Sequence, residues 1–299
     1  LFEKAAPVSQ AQIETLVGLM AEACQLASEE KKLTLLDLEQ NRPNLDEEDI
    51  DSYKEGLNEI EKAFLYTMEV AGQYMRIYKE DVTDVMKKNL FPLFAQNMSK
   101  TENTEHEVID SLCFFIDCCE FLSLDFFNEI YEEVITKFIE IYSTHKNNED
   151  RDVVQSLSFG LGVIASRLTN AQYAPYIPQV HGLLEEVISV EEPMSEENNF
   201  ATENALSSLL KLVYFQKDGQ VITDAIVSKY ITMLPLKEDL DEALAVNKLL
   251  IEQVEKKNQN ILGTHGQEVE AALNRIAEFH HNDPELKTLD EDLVTRLAA

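Results

Sequence analysis

Apolar residues recur every three to four positions along almost the whole chain, and no stretch alternates apolar and polar residues with a period of two. The pattern predicts an all-α protein whose helices come in pairs. The first pair spans about 10–27 and 30–40 and is followed by an acidic break over 41–51, with Asp46, Glu47, Glu48, Asp49 and Asp51. A long helix then runs to about residue 79, with a partner over about 81–97. Four further pairs are predicted at about 105–122 with 125–144, 150–168 with 174–190, 196–215 with 221–234, and 239–257 with 265–281. A terminal helix opens at Pro284.

First helices of the later pairs begin near residues 105, 150, 196 and 239, a period of about 45 residues. HEAT and armadillo units have that period; each is a helical hairpin too small to bury its own apolar face, so neighbours must stack. The predicted architecture is a right-handed α-solenoid of HEAT-type hairpins, about six pairs plus the terminal helix, forming one continuous domain over 1–299. Proline placement agrees. Pro175 and Pro178 open a second helix, Pro193 and Pro235 fall in loops, and Pro284 opens the last element. Asp125, Asp150 and Ser195 are predicted N-caps. Residues 1–7, LFEKAAP, read as the tail of a helix and predict that the chain is part of a longer protein.

Charge adds a preference for partners. Lys and Arg total 25 against 56 Asp and Glu, a net charge of −31. Such a surface repels nucleic acid and anionic membrane and attracts basic chains. No run of about 18 apolar residues suggests a membrane span. Cys24, Cys113, Cys118 and Cys119 form no CxxC pair, and Cys113 and Cys118 sit in an apolar helical run, which fits unpaired thiols in a reducing compartment.

Candidate chemistry is sparse. Gly160-Leu161-Gly162 follows no strand and lies inside a predicted helix, so it reads as close helix packing and not as a phosphate cradle. His280 and His281 point about 100° apart on a helix and do not converge on a metal. Asn97-Met98-Ser99 matches a glycosylation acceptor that a reducing compartment leaves idle. No nucleophile has a triad context, so no catalytic, cofactor or metal site is predicted, and the chain reads as a binding protein.

Two acidic faces carry the binding prediction. In the helix over 125–144, Phe127, Ile130, Val134, Phe138 and Ile141 form the apolar stripe and Glu129, Glu132, Glu133, Thr136 and Glu140 the polar one. In the helix over 174–190, Val180, Leu183, Leu184, Val187 and Ile188 are apolar, while Glu185 and Glu186 face away. Second helices of a solenoid stack side by side, so Glu129, Glu132, Glu133, Glu185 and Glu186 are predicted to contact the Lys and Arg side chains of a basic cargo.

Three segments then resemble a known family. Phe159-Gly160-Leu161-Gly162-Val163-Ile164-Ala165 is the first and Ala201-Thr202-Glu203-Asn204-Ala205 the second; the third is Leu234-Pro235-Leu236 with Glu238-Asp239 and Asp241-Glu242-Ala243. In order and spacing they resemble the C-terminal HEAT repeats of the importin-beta-three branch of the karyopherin-β family. The likeness is sharp from about Leu112 to His281, looser before and weak after Pro284, and the acidic stretch from Asp46 falls where that family carries an acidic insertion. The resemblance implies a monomeric import receptor shuttling between cytoplasm and nucleus. Such receptors bind basic nuclear localisation signals and phenylalanine-glycine nucleoporins and release cargo to the GTP-bound GTPase Ran. It also implies that second helices line the concave, cargo-facing side.

Two departures accompany the likeness. Val154 stands where related receptors carry an arginine of an inter-repeat ladder, and the family's main Ran site lies in repeats outside this chain. Glu203 and Asn204 read as structural, the amide of a packed Asn bonding the backbone of an adjacent loop. The alternative is a HEAT scaffold holding a phosphatase or trafficking complex together.

Overall fold

The computed structural model describes residues 9–98, 104–147, 151–215, 224–258 and 262–297, and every regular element among them is helical. The predicted helix tail at 1–7, the cap at Asp150 and the helix start at 221 lie outside the described residues. The chain divides into two compact units, Leu1–Tyr131 and Glu132–Ala299.

In the first unit, α1 (Gln10–Asn41) is one continuous helix of 32 residues and not the predicted pair. Nothing between Ala27 and Glu30 breaks it; there is neither glycine nor proline there to do so. The acidic break also shrinks, to a 3-10 turn at Arg42–Asn44 that holds Pro43. Asp46 accepts a hydrogen bond from the Asp49 amide at 2.9 Å and caps α2 (Glu47–Tyr78). Glu47, Glu48 and Asp49 therefore form the first turn of a helix, where the positive end of the dipole favours them.

The single helix predicted over 81–97 is two, α3 (Thr83–Asn89) and α4 (Phe91–Met98). Pro92 cannot continue a helix from α3, because its ring would strike the carbonyl one turn back. Asn97 is buried in α4, so the glycosylation-like Asn does not face solvent.

Thr104 caps α5 (Glu105–Phe121) in a box with Glu107. Ser123 Oγ accepts from the Phe126 amide at 3.3 Å at the start of α6 (Leu124–His145). The cap is thus Ser123, and Asp125 sits within the first turn. Helix α2 packs between α1 and α5, and an aromatic cluster ties the rest together. Phe94 stacks on Phe114 at 4.2 Å and meets Phe64 edge-on at 5.6 Å, while Phe91 meets Phe115 and Phe126 at 5.0 and 5.3 Å.

The second unit holds α7 (Asp152–Arg167), a short α8 (Asn170–Tyr173), α9 (Ile177–Val187), α10 (Asn199–Phe215), α11 (Asp224–Thr232), α12 (Leu240–Glu255), α13 (Gly266–Asn282) and α14 (Glu291–Leu297). Pro178 sits in the first turn of α9, as predicted, and Pro175 in the turn before it. Helix α10 begins three residues later than predicted, and the Ser195 carbonyl accepts from the Asn199 amide at 2.8 Å. The terminal helix is reduced to a 3-10 turn at Pro284–Leu286 followed by α14.

Within this unit the helices form two sets. In the first, α10 packs on α7 and α12, and α12 on α14. Every residue from Ala201 to Tyr214 in α10 is buried. A Cβ on Gly162 would lie 2.2 Å from Ser208 Oγ and 3.1 Å from Ser208 Cα, so the missing side chain lets α7 meet α10. Ser208 Oγ, in turn, donates to the Ser158 carbonyl at 2.6 Å. That is the close packing predicted for the Gly160-Leu161-Gly162 run. Val154 is fully buried and contributes no polar rung.

In the second set, α6, α9, α11 and α13 lie side by side. Glu186 near the end of α9 meets Tyr142 and Lys146 at the end of α6, while Tyr176 at the start of α9 lies near Glu132. These contacts make the two helices parallel. Tyr230 Oη of α11 lies 2.9 Å from His181 Nε2 of α9. Ser228 of α11 donates to Glu268 of α13 at 2.9 Å, and Arg275 of α13 donates to the Ile231, Thr232 and Leu234 carbonyls at the end of α11. Partners in this set are separated by 40 to 49 residues, close to the period in the sequence.

Candidate protein-binding face

The glutamates singled out in the sequence all reach the surface, and they differ in what already neutralises them. In the first unit, Glu129 pairs with Lys87 of α3, whose ammonium also sits 5.2 Å from the Phe126 ring centre. The pair is exposed on both sides, so an incoming cation can compete for Glu129 at small cost.

In the second unit, Glu132 and Glu133 are exposed on α6, while Val134, Phe138 and Ile141 on its other face are buried. Glu133 has no ion-pair partner among the described residues. On α9, Val180, Leu183, Leu184 and Val187 are buried and Glu185 and Glu186 point outward, as the helical period requires. Lys146 bridges to Glu186 at 2.8 Å; that hydrogen bond, with one from Tyr142, holds the Glu186 carboxyl below its ordinary range.

Glu185 is different. Its nearest basic group is His181, 3.7 Å away and buried. Burial lowers the affinity of the imidazole for a proton, and the Tyr230 hydroxyl occupies its other nitrogen. At neutral pH the histidine is uncharged, which leaves Glu185 a half-exposed carboxylate without a counter-ion among the described residues. The second unit thus brings Glu132, Glu133, Glu185 and Glu186 onto neighbouring parallel helices, with Glu133 and Glu185 the members open to a cation.

Sequence reasoning missed two features. The turn between α9 and α10 exposes Glu191, Glu192, Glu196 and Glu197 around an open cleft, a signal legible as two Glu-Glu steps around Pro193. The other is a buried polar spine along α10. Glu203 Oε1 accepts from the Lys237 amide at 2.7 Å, and its Oε2 accepts from the Glu238 and Asp239 amides at 2.9 and 3.0 Å. Burial pushes this carboxyl above its ordinary range, against the three amides that hold it down.

Asn204 does not bond the loop backbone as predicted. Its side-chain amide donates to the Phe200 carbonyl of its own helix and to the Asp239 carboxylate, each at 3.0 Å. Further along, Lys211 and Ser207 converge on the buried Glu242, with Lys211 at 2.5 Å and 5.3 Å from the Phe159 ring centre. Two of the segments that carried the family resemblance, Ala201 to Ala205 and Leu234 to Ala243, are therefore one physical clamp.

Among the described residues no group of three or more His, Cys, Asp or Glu is placed to hold a metal, and no helix is long and apolar enough to cross a membrane. His280 and His281 lie in the last turn of α13, and no disulfide joins any of the four cysteines. Cys24, Cys118 and Cys119 are buried and Cys113 half-buried. No protein-family model matches the chain.

Proposed function

We propose that the chain is a cargo-side segment of an import receptor of the karyopherin-β type, built as a right-handed α-solenoid of HEAT-type hairpins. Its parallel second helices present carboxylates to the lysines and arginines of a nuclear localisation signal. The observation that supports this most is the uncompensated Glu185 beside Glu186 on α9, next to Glu132 and Glu133 on α6. A net charge of −31 speeds the encounter with basic chains and disfavours nucleic acid. The receptor is a monomer that shuttles between cytoplasm and nucleus and contacts phenylalanine-glycine nucleoporins. It releases cargo when GTP-loaded Ran docks on repeats outside the chain.

The test is capture of the full-length receptor on beads carrying a basic localisation peptide, followed by GTP-loaded or GDP-loaded Ran. The expected result is elution by the GTP form alone. Retention under both conditions is the behaviour of a phosphatase or trafficking scaffold and would replace the receptor reading.

A further inference from the structure

We propose that the outer face of α1 is a docking seam for an amphipathic helix from outside the chain, one with leucine-like residues at seven-residue spacing and basic flanks. Helix α1 is apolar on two sides. Ile13, Val17, Ala21, Cys24 and Ala27 are buried, and Cys24 meets the Ala63 carbonyl and Thr67 of α2. On the other side Leu19, Leu26 and Leu33 are 58%, 58% and 66% exposed. Seven residues make two turns less about 20°, so the three leucines form one stripe about 21 Å long. Leu26 follows Cys24 by two residues, about 200° around the helix, so the stripe faces away from the buried row.

The period names the occupant. Three residues before each leucine stands a second position of the same stripe: Leu16, Ala23 and Glu30. Two positions per heptad are what a second helix needs to interlock its side chains at a shallow crossing angle. Single exposed leucines are ordinary on a surface, whereas a row in register over three heptads is not.

The flanks set the partner's charge. Glu22 and Glu29 run beside the leucines, and Glu30 takes the inner position of the third heptad. All three are exposed, with no ion-pair partner among the described residues. Lys31, next to Glu30, is committed to Glu61 at 2.8 Å and Glu107 at 2.7 Å. The partner helix therefore carries Lys or Arg opposite these glutamates, above all opposite Glu30, because a polar residue within a heptad seam fixes register. A second copy of this chain fits badly. Antiparallel pairing of all three leucines centres on Leu26 and sets Glu22 against Glu30. Parallel pairing sets each glutamate against its own copy, and both copies carry a charge of −31.

The probe is a labelled synthetic helix of about three heptads, with leucine at both apolar positions of each and lysine or arginine on the flanks. A control peptide of the same composition has its leucines moved off the seven-residue spacing, which keeps the charge and removes the stripe. By fluorescence anisotropy the 299-residue chain is expected to bind the probe at least about tenfold more tightly than the control. Leu19→Ser/Leu26→Ser/Leu33→Ser, all at exposed positions, is expected to abolish that preference. Equal affinity for the two peptides means that net charge alone attracts them, and overturns the proposal; so does a preference that survives in the triple variant. Leucine methyl spectra of the wild type locate the site without any variant: shifts centred on Leu19, Leu26 and Leu33 support the seam, and shifts that spare them refute it. Sedimentation tests the other occupant, since a wild-type dimer that the triple variant dissociates would assign the stripe to a second copy and overturn the proposal.

Discussion

Glu203→Ala is expected to lower the stability of the second unit by roughly 3–5 kcal/mol. The residue is wholly buried, and its carboxylate satisfies three consecutive amides at Lys237, Glu238 and Asp239. Alanine removes both carboxylate oxygens and with them all three hydrogen bonds to the loop. Each stranded amide costs about 1–3 kcal/mol, less than additively because the loop can partly relax. Asp239 is also the N-cap of α12, accepting from the Glu242 amide at 3.1 Å, so loosening the loop frees the first turn of that helix. Urea unfolding monitored by circular dichroism gives the magnitude, and hydrogen exchange should show α12 losing protection first. A loss below about 1 kcal/mol would mean the loop holds its shape without the clamp.

The second large effect separates charge from packing. Lys211→Met leaves the Glu242 carboxylate buried with Ser207 as its remaining donor, and Glu242→Leu strands the Lys211 ammonium. Each single change is expected to cost about 3–5 kcal/mol, because an unpaired buried charge keeps its desolvation penalty. The double variant Lys211→Met/Glu242→Leu is expected to recover most of that loss, since both penalties vanish together and an apolar contact takes their place. A double-mutant cycle by chemical unfolding measures the coupling. If the two losses simply add, the pair is not the unit described above.

Much of the fold was legible because apolar spacing is dictated by the helix itself. The outward glutamates of α6 and α9, the buried stripe beneath them and the Gly162 contact all follow from that periodicity. Boundaries were less legible. The split of α1 into a pair failed because a polar step such as Ser28-Glu29-Glu30 is compatible with a helix that has no residue to break it. The acidic run from Asp46 read as a break, although its charges are what a helix N-terminus favours.

The candidate face was legible only as positions. Which carboxylates are already neutralised depends on Lys87, Lys146 and His181, partners 40 or more residues away or silenced by burial, and no local pattern reveals that. The clamp on residues 237–239 was hidden for the same reason: a glutamate in an apolar helix carries no sign of the loop it will hold.

The most direct measurement is fluorescence anisotropy of a labelled lysine- and arginine-rich localisation peptide with the 299-residue chain and with Glu133→Lys/Glu185→Lys. Both substitutions sit on exposed or half-exposed positions, so the fold should persist. Affinity is predicted to fall at least about tenfold in the variant, and to fall in the wild type as salt rises from 50 to about 200 mM. Equal affinity for both proteins, with no response to salt, would contradict a carboxylate-lined cargo face.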